Sequence, residues 1–142
     1  MAIQHLRPYY LGDTSALSRR GIPAVGERLN PLLEAGLVAR CTPTDLEAGY
    51  SARSVDDFLR IRDQRATWPL VAMDQSVLDD AYNVQGRLAR RGQRRGVPIP
   101  DLLIAAAAAS AGLVVLHYDR DFERIAEVTG QPVEWVVVPG SV

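Results

Sequence analysis

Five acidic residues stand where predicted strands end or predicted helices begin. They are Asp13, Glu47, Asp101, Asp119 and Asp121. In an open sheet of parallel strands, the ligand site lies beyond the carboxyl ends of the strands. Because four of these positions are far apart in the sequence yet fall at the same predicted end of the sheet, the pattern predicts one acidic pocket.

Repulsion between like charges determines what chemistry such a pocket can perform. Two carboxylates about 5 Å apart repel by roughly 3 kcal/mol at an effective dielectric of about 20. Protonation or a bound cation has to relieve that repulsion. Oxygen-only ligands select a hard cation, Mg²⁺ or Mn²⁺ rather than Zn²⁺. An ion held in this way is the usual apparatus for phosphodiester hydrolysis by activated water.

Each acid also has a purely structural interpretation. Asp13 and Asp101 are suitable helix N-caps, and Glu47 is placed to close a capping box. Asp119 and Asp121 suit a turn followed by a cap. Taken singly, the structural interpretation is favoured for each residue. Taken together it weakens, because the acids fall at the same predicted end of the sheet.

The elements that must position these acids alternate between strands and helices. Strands are predicted at residues 9–12, 37–41, 113–116 and 133–138, with an extended loop at 97–100. Helices are predicted at residues 16–20, 25–35, 45–53, 55–66, 75–91, 102–111 and 121–129. This alternation predicts one α/β domain over residues 1–142, a three-layer α/β/α sandwich with a central, mainly parallel sheet.

Composition excludes several other classes of protein. The 142 residues include one cysteine and two histidines, which excludes an internal disulfide and a multi-cysteine zinc site and leaves little for a histidine-rich metal site. All 16 basic residues are arginine, which excludes phosphate-binding loops and Schiff-base chemistry that need lysine. No apolar run is long enough for a membrane span and no signal peptide is recognised, so we expect a cytoplasmic protein.

One dense run of basic residues lies between residues 87 and 95. It contains Arg87, Arg90, Arg91, Arg94 and Arg95. Because the formal net charge is −1, any contact with nucleic acid has to come from a local patch such as this one. The structural alternative is a solvated helix end, where arginine meets the helix dipole favourably. Contact with an acidic segment of a partner protein is a third interpretation.

Four segments carry a resemblance to a known family, and they occur in that family's order. They are YLGDTSAL at residues 10–17, TDLE at 44–47, IPDLLIAA at 99–106 and HYDRDFERI at 117–125. The chain resembles PIN-domain ribonucleases, in particular the VapC-type toxins of toxin–antitoxin modules. It departs from the family pattern in having His117 where threonine is common, and in about eight residues ahead of the first strand.

The resemblance implies a PIN-like fold and a Mg²⁺- or Mn²⁺-dependent endoribonuclease that cuts a structured cellular RNA and is silenced by a VapB-type antitoxin. It implies Asp13 and Asp101 as the principal metal ligands, with Asp119 completing the set directly or through water. Glu47 would orient or deprotonate the attacking water. Asp121 would support the ligands or cap the helix that follows.

The resemblance also implies a homodimer, and Trp68 and Leu70 lie in a short proline-containing segment that we expect at the surface. Two alternative functions remain. One is a catalytically silent PIN-like subunit that binds RNA or acts as a scaffold, which has no reason to carry the acidic repulsion. The other is a small phosphatase or phosphotransferase with an aspartate nucleophile, using arginine where lysine is normal.

Overall fold

A computed structural model describes residues 7–92 and 96–142 of the chain. The strands are β1 (Tyr10–Gly12), β2 (Val38–Ala39), β3 (Val114–His117) and β4 (Val133–Trp135). The helices are α1 (Thr14–Leu17), α2 (Pro23–Glu34), α3 (Thr42–Tyr50), α4 (Val55–Arg65), α5 (Gln75–Arg90), α6 (Ile99–Ala111) and α7 (Asp121–Thr129). The predicted alternation of strands and helices is confirmed.

The four strands form one parallel sheet with the order β2-β1-β3-β4. β1 lies in the middle, with Leu11 paired to Ala39 of β2 on one side and to Val115 of β3 on the other. The chain therefore leaves β1 towards one edge of the sheet and later returns to its opposite side. Ligands of open α/β sheets bind where the strand order reverses in this way.

Helices cover both faces of the sheet, because successive side chains of a strand point to opposite faces. Leu11, Ala39 and Val115 face a core built with residues of α5, α6 and α7. Val38 and Leu116 face a second core built with residues of α1 and α2. The predicted three-layer α/β/α sandwich is therefore confirmed.

Most predicted boundaries differ from the structure by one to three residues, and the start of α6 matters most for the site. α6 begins at Ile99, with Pro98 as its N-cap, so half of the predicted extended loop forms its first turn. Proline suits this position because its missing N–H would have no helical partner there. Asp101 consequently lies inside the first turn, and its interpretation as the N-cap is wrong. α3 begins earlier than predicted, at Thr42, and β4 ends earlier, at Trp135.

The segment between α4 and α5 corrects one expectation about the surface. Trp68 is 8% exposed and belongs to the core beside α1 and α2, whereas Leu70 is 55% exposed. The guanidinium groups of Arg20 and Arg65 lie over the Trp68 ring at 5.4 and 5.1 Å. Within residues 7–92 and 96–142, none of the helices has the length and apolar character needed to cross a membrane.

Candidate active site

The predicted acids converge at the carboxyl edge of the sheet, where β1 and β3 lie side by side. Asp13 follows β1 directly, and its backbone N–H donates to the carbonyl of Leu116 in β3 (2.9 Å). Oxygen atoms of Asp101, Asp119 and Asp121 all lie within 4.8 Å of one another. The topology therefore assembles three carboxylates from α6, the end of β3 and the start of α7.

Asp101 is the residue on which the charges of the cluster act most strongly. Burial is the largest cause that raises the pKa of its carboxyl to about 8, and the charges of four other acids add to it. These acids are Asp13, Asp119, Asp121 and Glu47. The Oδ2 atom of Asp101 is buried and has no hydrogen-bond partner among the described residues.

This environment fits a divalent cation. A buried carboxylate oxygen without a donor is costly in a folded protein. The surrounding carboxylates supply negative charge and oxygen ligands, which are what Mg²⁺ and Mn²⁺ prefer. The residues at this edge of the sheet therefore match the chemistry of a hard-cation site.

Asp13 is held in place by the first turn of α1. Its Oδ2 accepts hydrogen bonds from the backbone N–H (2.9 Å) and the hydroxyl (2.5 Å) of Ser15. The same hydroxyl accepts a hydrogen bond from the backbone N–H of Tyr118 (2.8 Å), which links the ends of β1 and β3. Burial raises the pKa of Asp13 in spite of the bonds from Ser15. Asp13 is thus both a helix cap and a member of the acidic cluster.

Glu47 projects from α3 and contacts the start of α1. Its Oε1 accepts a hydrogen bond from the Thr14 hydroxyl (3.0 Å). The negative charge of Glu47 contributes to the raised pKa of both Asp13 and Asp101. The capping-box interpretation of Glu47 is wrong, because the box at the start of α3 pairs residues 41 and 44. Glu47 also lines a groove of about 440 Å³ together with Thr14.

His117 occupies the position where threonine is common in the family, and it holds the loop that follows β3. Its side chain is fully buried, and burial lowers its pKa to about 4. The Nδ1 atom accepts a hydrogen bond from the backbone N–H of Asp119 (3.1 Å). The ring packs against Phe122 and Trp135. A neutral imidazole therefore positions Asp119, while the hydroxyl nearest to the acids comes from Ser15.

Asp121 is the first residue of α7 and not its cap. The N-cap is Arg120, which makes no side-chain cap hydrogen bond. The backbone N–H of Asp121 donates to Asp119 Oδ1 (2.9 Å), and its carboxylate pairs with Arg124 (3.0 Å). The interpretation of Asp121 as a cap is therefore wrong, and its carboxylate lies among the acids.

The basic run, where it is described, contacts the far end of α7. Arg87 donates to a backbone carbonyl in the last turn of α7, and Arg91 lies 3.9 Å from a glutamate in that turn. Asp121 is at the other end of this helix, about 10 Å away along its axis. Arg94 and Arg95 lie outside the described residues. RNA contact by this run stays a prediction, and the structure gives two of its members a packing role.

Comparison with known proteins identifies the family to which this arrangement belongs. The profile described as "PIN domain" matches residues 10–128, a range that contains all five predicted acids. The chain belongs to the PIN-domain family.

Curated relatives define the type within that family. Ribonuclease VapC21 of Mycobacterium tuberculosis is 50% identical over 133 residues, covering 93% of this chain and 96% of the relative. Ribonuclease VapC51 of the same organism is 50% identical over 133 residues, covering 94% of this chain and 96% of the relative. A chain of the DNA-bound VapBC structure from Salmonella typhimurium superposes with a TM-score of 0.73 at 24% identity, covering 92% of this chain and 100% of that one. The chain is a PIN-domain nuclease of the VapC type.

Proposed function

We propose that this nuclease is a Mg²⁺- or Mn²⁺-dependent endoribonuclease that acts in the cytoplasm as the toxin of a toxin–antitoxin pair. Its substrate is a structured cellular RNA, whose phosphodiester bonds it hydrolyses with activated water. The observation that carries this proposal is the buried Asp101 carboxylate, which has an unpartnered Oδ2 and four other acids around it. The curated relatives named ribonucleases support RNA as the substrate class.

The cation would be held by the acids that lie closest together. These are Asp101, Asp119 and Asp121, with Asp13 adding a further negative charge beside Asp101. A bound divalent ion lowers the pKa of water and offsets the charge that develops on the phosphate. Ser15 and His117 act as positioning residues, because their hydrogen bonds hold Asp13 and the backbone at Asp119 before any substrate binds.

Glu47 is the residue we assign to the attacking water. The hydrogen bond from Thr14 fixes one oxygen of its carboxylate and orients the group. Glu47 is half-buried, and it lines a groove large enough for part of a nucleotide. A carboxylate in this position accepts a proton from the attacking water and orients that water towards the phosphate.

The partner that we propose is a VapB-type antitoxin. An apolar groove of about 420 Å³ lies between α3 and α4, lined by the exposed side chains of Leu46, Tyr50 and Phe58. Exposed apolar surface of this extent is typical of a protein interface. A segment seated there would lie beside the helix that carries Glu47 and would obstruct the acids. The solved VapBC structures that share this fold support such a partner.

The test is cleavage of a structured RNA by the purified chain in Mg²⁺, in Mn²⁺ and in EDTA. We expect cleavage with either cation and none in EDTA. Asp101→Asn should be inactive, whereas Asp63→Asn, which removes an exposed acid of α4, should cleave like the parent. Robust cleavage in excess chelator would overturn the metal mechanism. RNA binding without cleavage under all conditions would favour a silent subunit, and hydrolysis of a phosphomonoester alone would favour the phosphatase alternative.

A further inference from the structure

A smaller pocket, of about 170 Å³, lies between α1, α3 and α4. Its polar lining includes three guanidinium groups and three hydroxyl groups, contributed by Arg20, Arg60, Arg65, Thr14, Ser18 and Ser51. Arg60 and Arg65 both lie on α4, and the fold brings Arg20, from the turn after α1, beside them. None of them belongs to the basic run that the sequence singles out.

Arg65 forms the buried part of this arginine pocket. Its side chain is 7% exposed, with Nε donating to Asp45 (2.8 Å) and Nη2 to Thr44 (2.9 Å). Asp45 also pairs with Arg40 (2.5 Å), so that one carboxylate compensates two guanidinium groups. Nη1 of Arg65 has no hydrogen-bond partner in the part of the chain that is described. Arg65 lines both the arginine pocket and the apolar groove between α3 and α4.

Arg20 has no carboxylate within ion-pair distance among the described residues. It donates instead to the neutral side chain of Gln64 (3.2 Å) and lies over the Trp68 ring. Partial burial lowers its pKa, and the charges of Arg65 and Arg60 lower it further. A half-buried guanidinium beside two like charges is unfavourable unless an anion compensates it. Arg60 pairs with Asp57 (2.7 Å) and Arg65 with Asp45, so Arg20 is the member of the arginine pocket whose charge is left for an anion to compensate.

Thr14 connects the arginine pocket to the acidic cluster. It lines the pocket, it directly follows Asp13, and its hydroxyl donates to Glu47. We propose that the arginine pocket binds a phosphodiester group of the RNA, next to the group that is cut. Planar guanidinium groups suit this ligand because they donate two parallel hydrogen bonds to phosphate oxygens. This assignment rests on RNA being the substrate, as proposed above.

The first experiment uses inorganic phosphate as the probe. Thermal unfolding is measured in phosphate and in chloride at equal ionic strength, with EDTA present. We expect phosphate to raise the melting temperature of the parent more than chloride does, because a ligand of the folded state stabilises it. Arg20→Gln should remove this difference. Arg62→Gln is the matched control, because it removes one arginine of α4 that does not line the arginine pocket, and it should keep the difference.

The second experiment measures equilibrium binding of RNA in EDTA as a function of salt. Arg20→Gln should weaken binding about tenfold, as expected for one charge-assisted hydrogen bond, and reduce the log–log salt slope by about 0.7–0.9. Arg60→Gln should act in the same direction. Its side chain is 68% exposed and pairs with Asp57 (2.7 Å), so this variant leaves the core intact and breaks one ion pair of α4. Arg62→Gln should stay within about twofold of the parent.

Several outcomes would overturn the proposal. Phosphate could stabilise the parent no more than chloride does, or Arg20→Gln and Arg62→Gln could weaken RNA binding equally. Loss of antitoxin binding alone, with RNA and phosphate binding unchanged, would assign the arginine pocket to a carboxylate of the partner and contradict the proposal. If the parent cleaves RNA while Arg20→Gln binds RNA normally, only the pocket assignment fails. If the parent never cleaves RNA but phosphate binding depends on Arg20, the nuclease proposal fails and the anion site stands.

Discussion

Replacing Asp101 with asparagine separates the structural role of the acidic cluster from its chemical role. Because Pro98 is the N-cap of α6 and Asp101 makes no cap hydrogen bond, the substitution removes no cap from the helix. Asparagine has nearly the same shape but cannot ionise, so burial and the neighbouring acids no longer oppose a charge at this position. We therefore expect the metal-free variant to be more stable than the parent at neutral pH, and to lose RNA cleavage.

The size of the effect follows from the pKa of Asp101. A carboxyl whose pKa rises from 3.8 to about 8 on folding binds its proton more tightly in the folded state. Its contribution to the free energy of unfolding is therefore present at low pH and is lost as the pH rises from about 4 to about 8. At about 1.4 kcal/mol per pKa unit, the parent loses about 4 kcal/mol by pH 7 and less than about 2 kcal/mol by pH 5. At roughly 2–4 °C per kcal/mol, the variant should melt about 10 °C higher at pH 7 and about 5 °C higher at pH 5.

The assay is thermal unfolding of the parent and Asp101→Asn at pH 5 and pH 7 in EDTA, and at pH 7 in millimolar Mg²⁺. Mg²⁺ should raise the melting temperature of the parent and change that of the variant much less, because the ion binds only the folded site. Asp63→Asn, at an exposed position of α4, controls for the loss of one negative charge. A variant that melts below the parent in EDTA at pH 7, with equal responses of both proteins to Mg²⁺, would refute this reasoning.

Three further predictions concern packing, the basic run and assembly. Gly12→Ala should lower the free energy of unfolding by about 1–3 kcal/mol, because the new Cβ would lie 2.9 Å from Val38 Cγ1. Gly86→Ala, at an exposed helical position with open space, should raise the free energy of unfolding by up to about 1 kcal/mol. Urea unfolding measures both variants, and equal changes for Gly12→Ala and Gly86→Ala would contradict this account. Replacing Arg90, Arg91, Arg94 and Arg95 with glutamine should reduce the salt slope of RNA binding by up to about four units, or about three for single strands, with cation affinity unchanged. An unchanged slope would assign the run to solubility or to the antitoxin. The active form should be a homodimer by light scattering, and a strict monomer at high concentration would exclude it.

The convergence of the acids could be predicted because it depends on topology alone. Asp13 directly follows β1, Asp119 lies two residues after β3, and parallel strands end at one edge of the sheet. The apolar runs that identify β1 and β3 are short and nearly continuous, as expected for strands covered on both faces. Recognising the strands and placing the acids at their carboxyl ends require no knowledge of side-chain packing, so both could be predicted from the sequence.

Other features of the site could not be predicted, because they depend on packing between distant elements. Prolines 98 and 100 favour an extended chain before them, but they equally suit the first turn of a helix, and only the position of α6 in the fold decides between these. The pocket formed by Arg20, Arg60 and Arg65 has no signal in sequence spacing, because Arg20 comes from the turn after α1 and the other two come from α4, 40 or more residues later. The basic run is dense in sequence, yet two of its three described members, Arg87 and Arg91, contact α7, and the third, Arg90, is exposed.

The most direct test of the central claim is calorimetric titration of Mn²⁺ into the protein at pH 7, in two buffers with different ionisation enthalpies. Because the pKa of Asp101 is about 8, its carboxyl is mainly protonated at pH 7 in the metal-free protein. A cation that binds there has to displace this proton. We predict binding with release of close to one proton by the parent, and weak binding without proton release by Asp101→Asn. Absence of Mn²⁺ binding, or identical binding and proton release by the two proteins, would contradict the assignment of this acidic cluster as the metal centre.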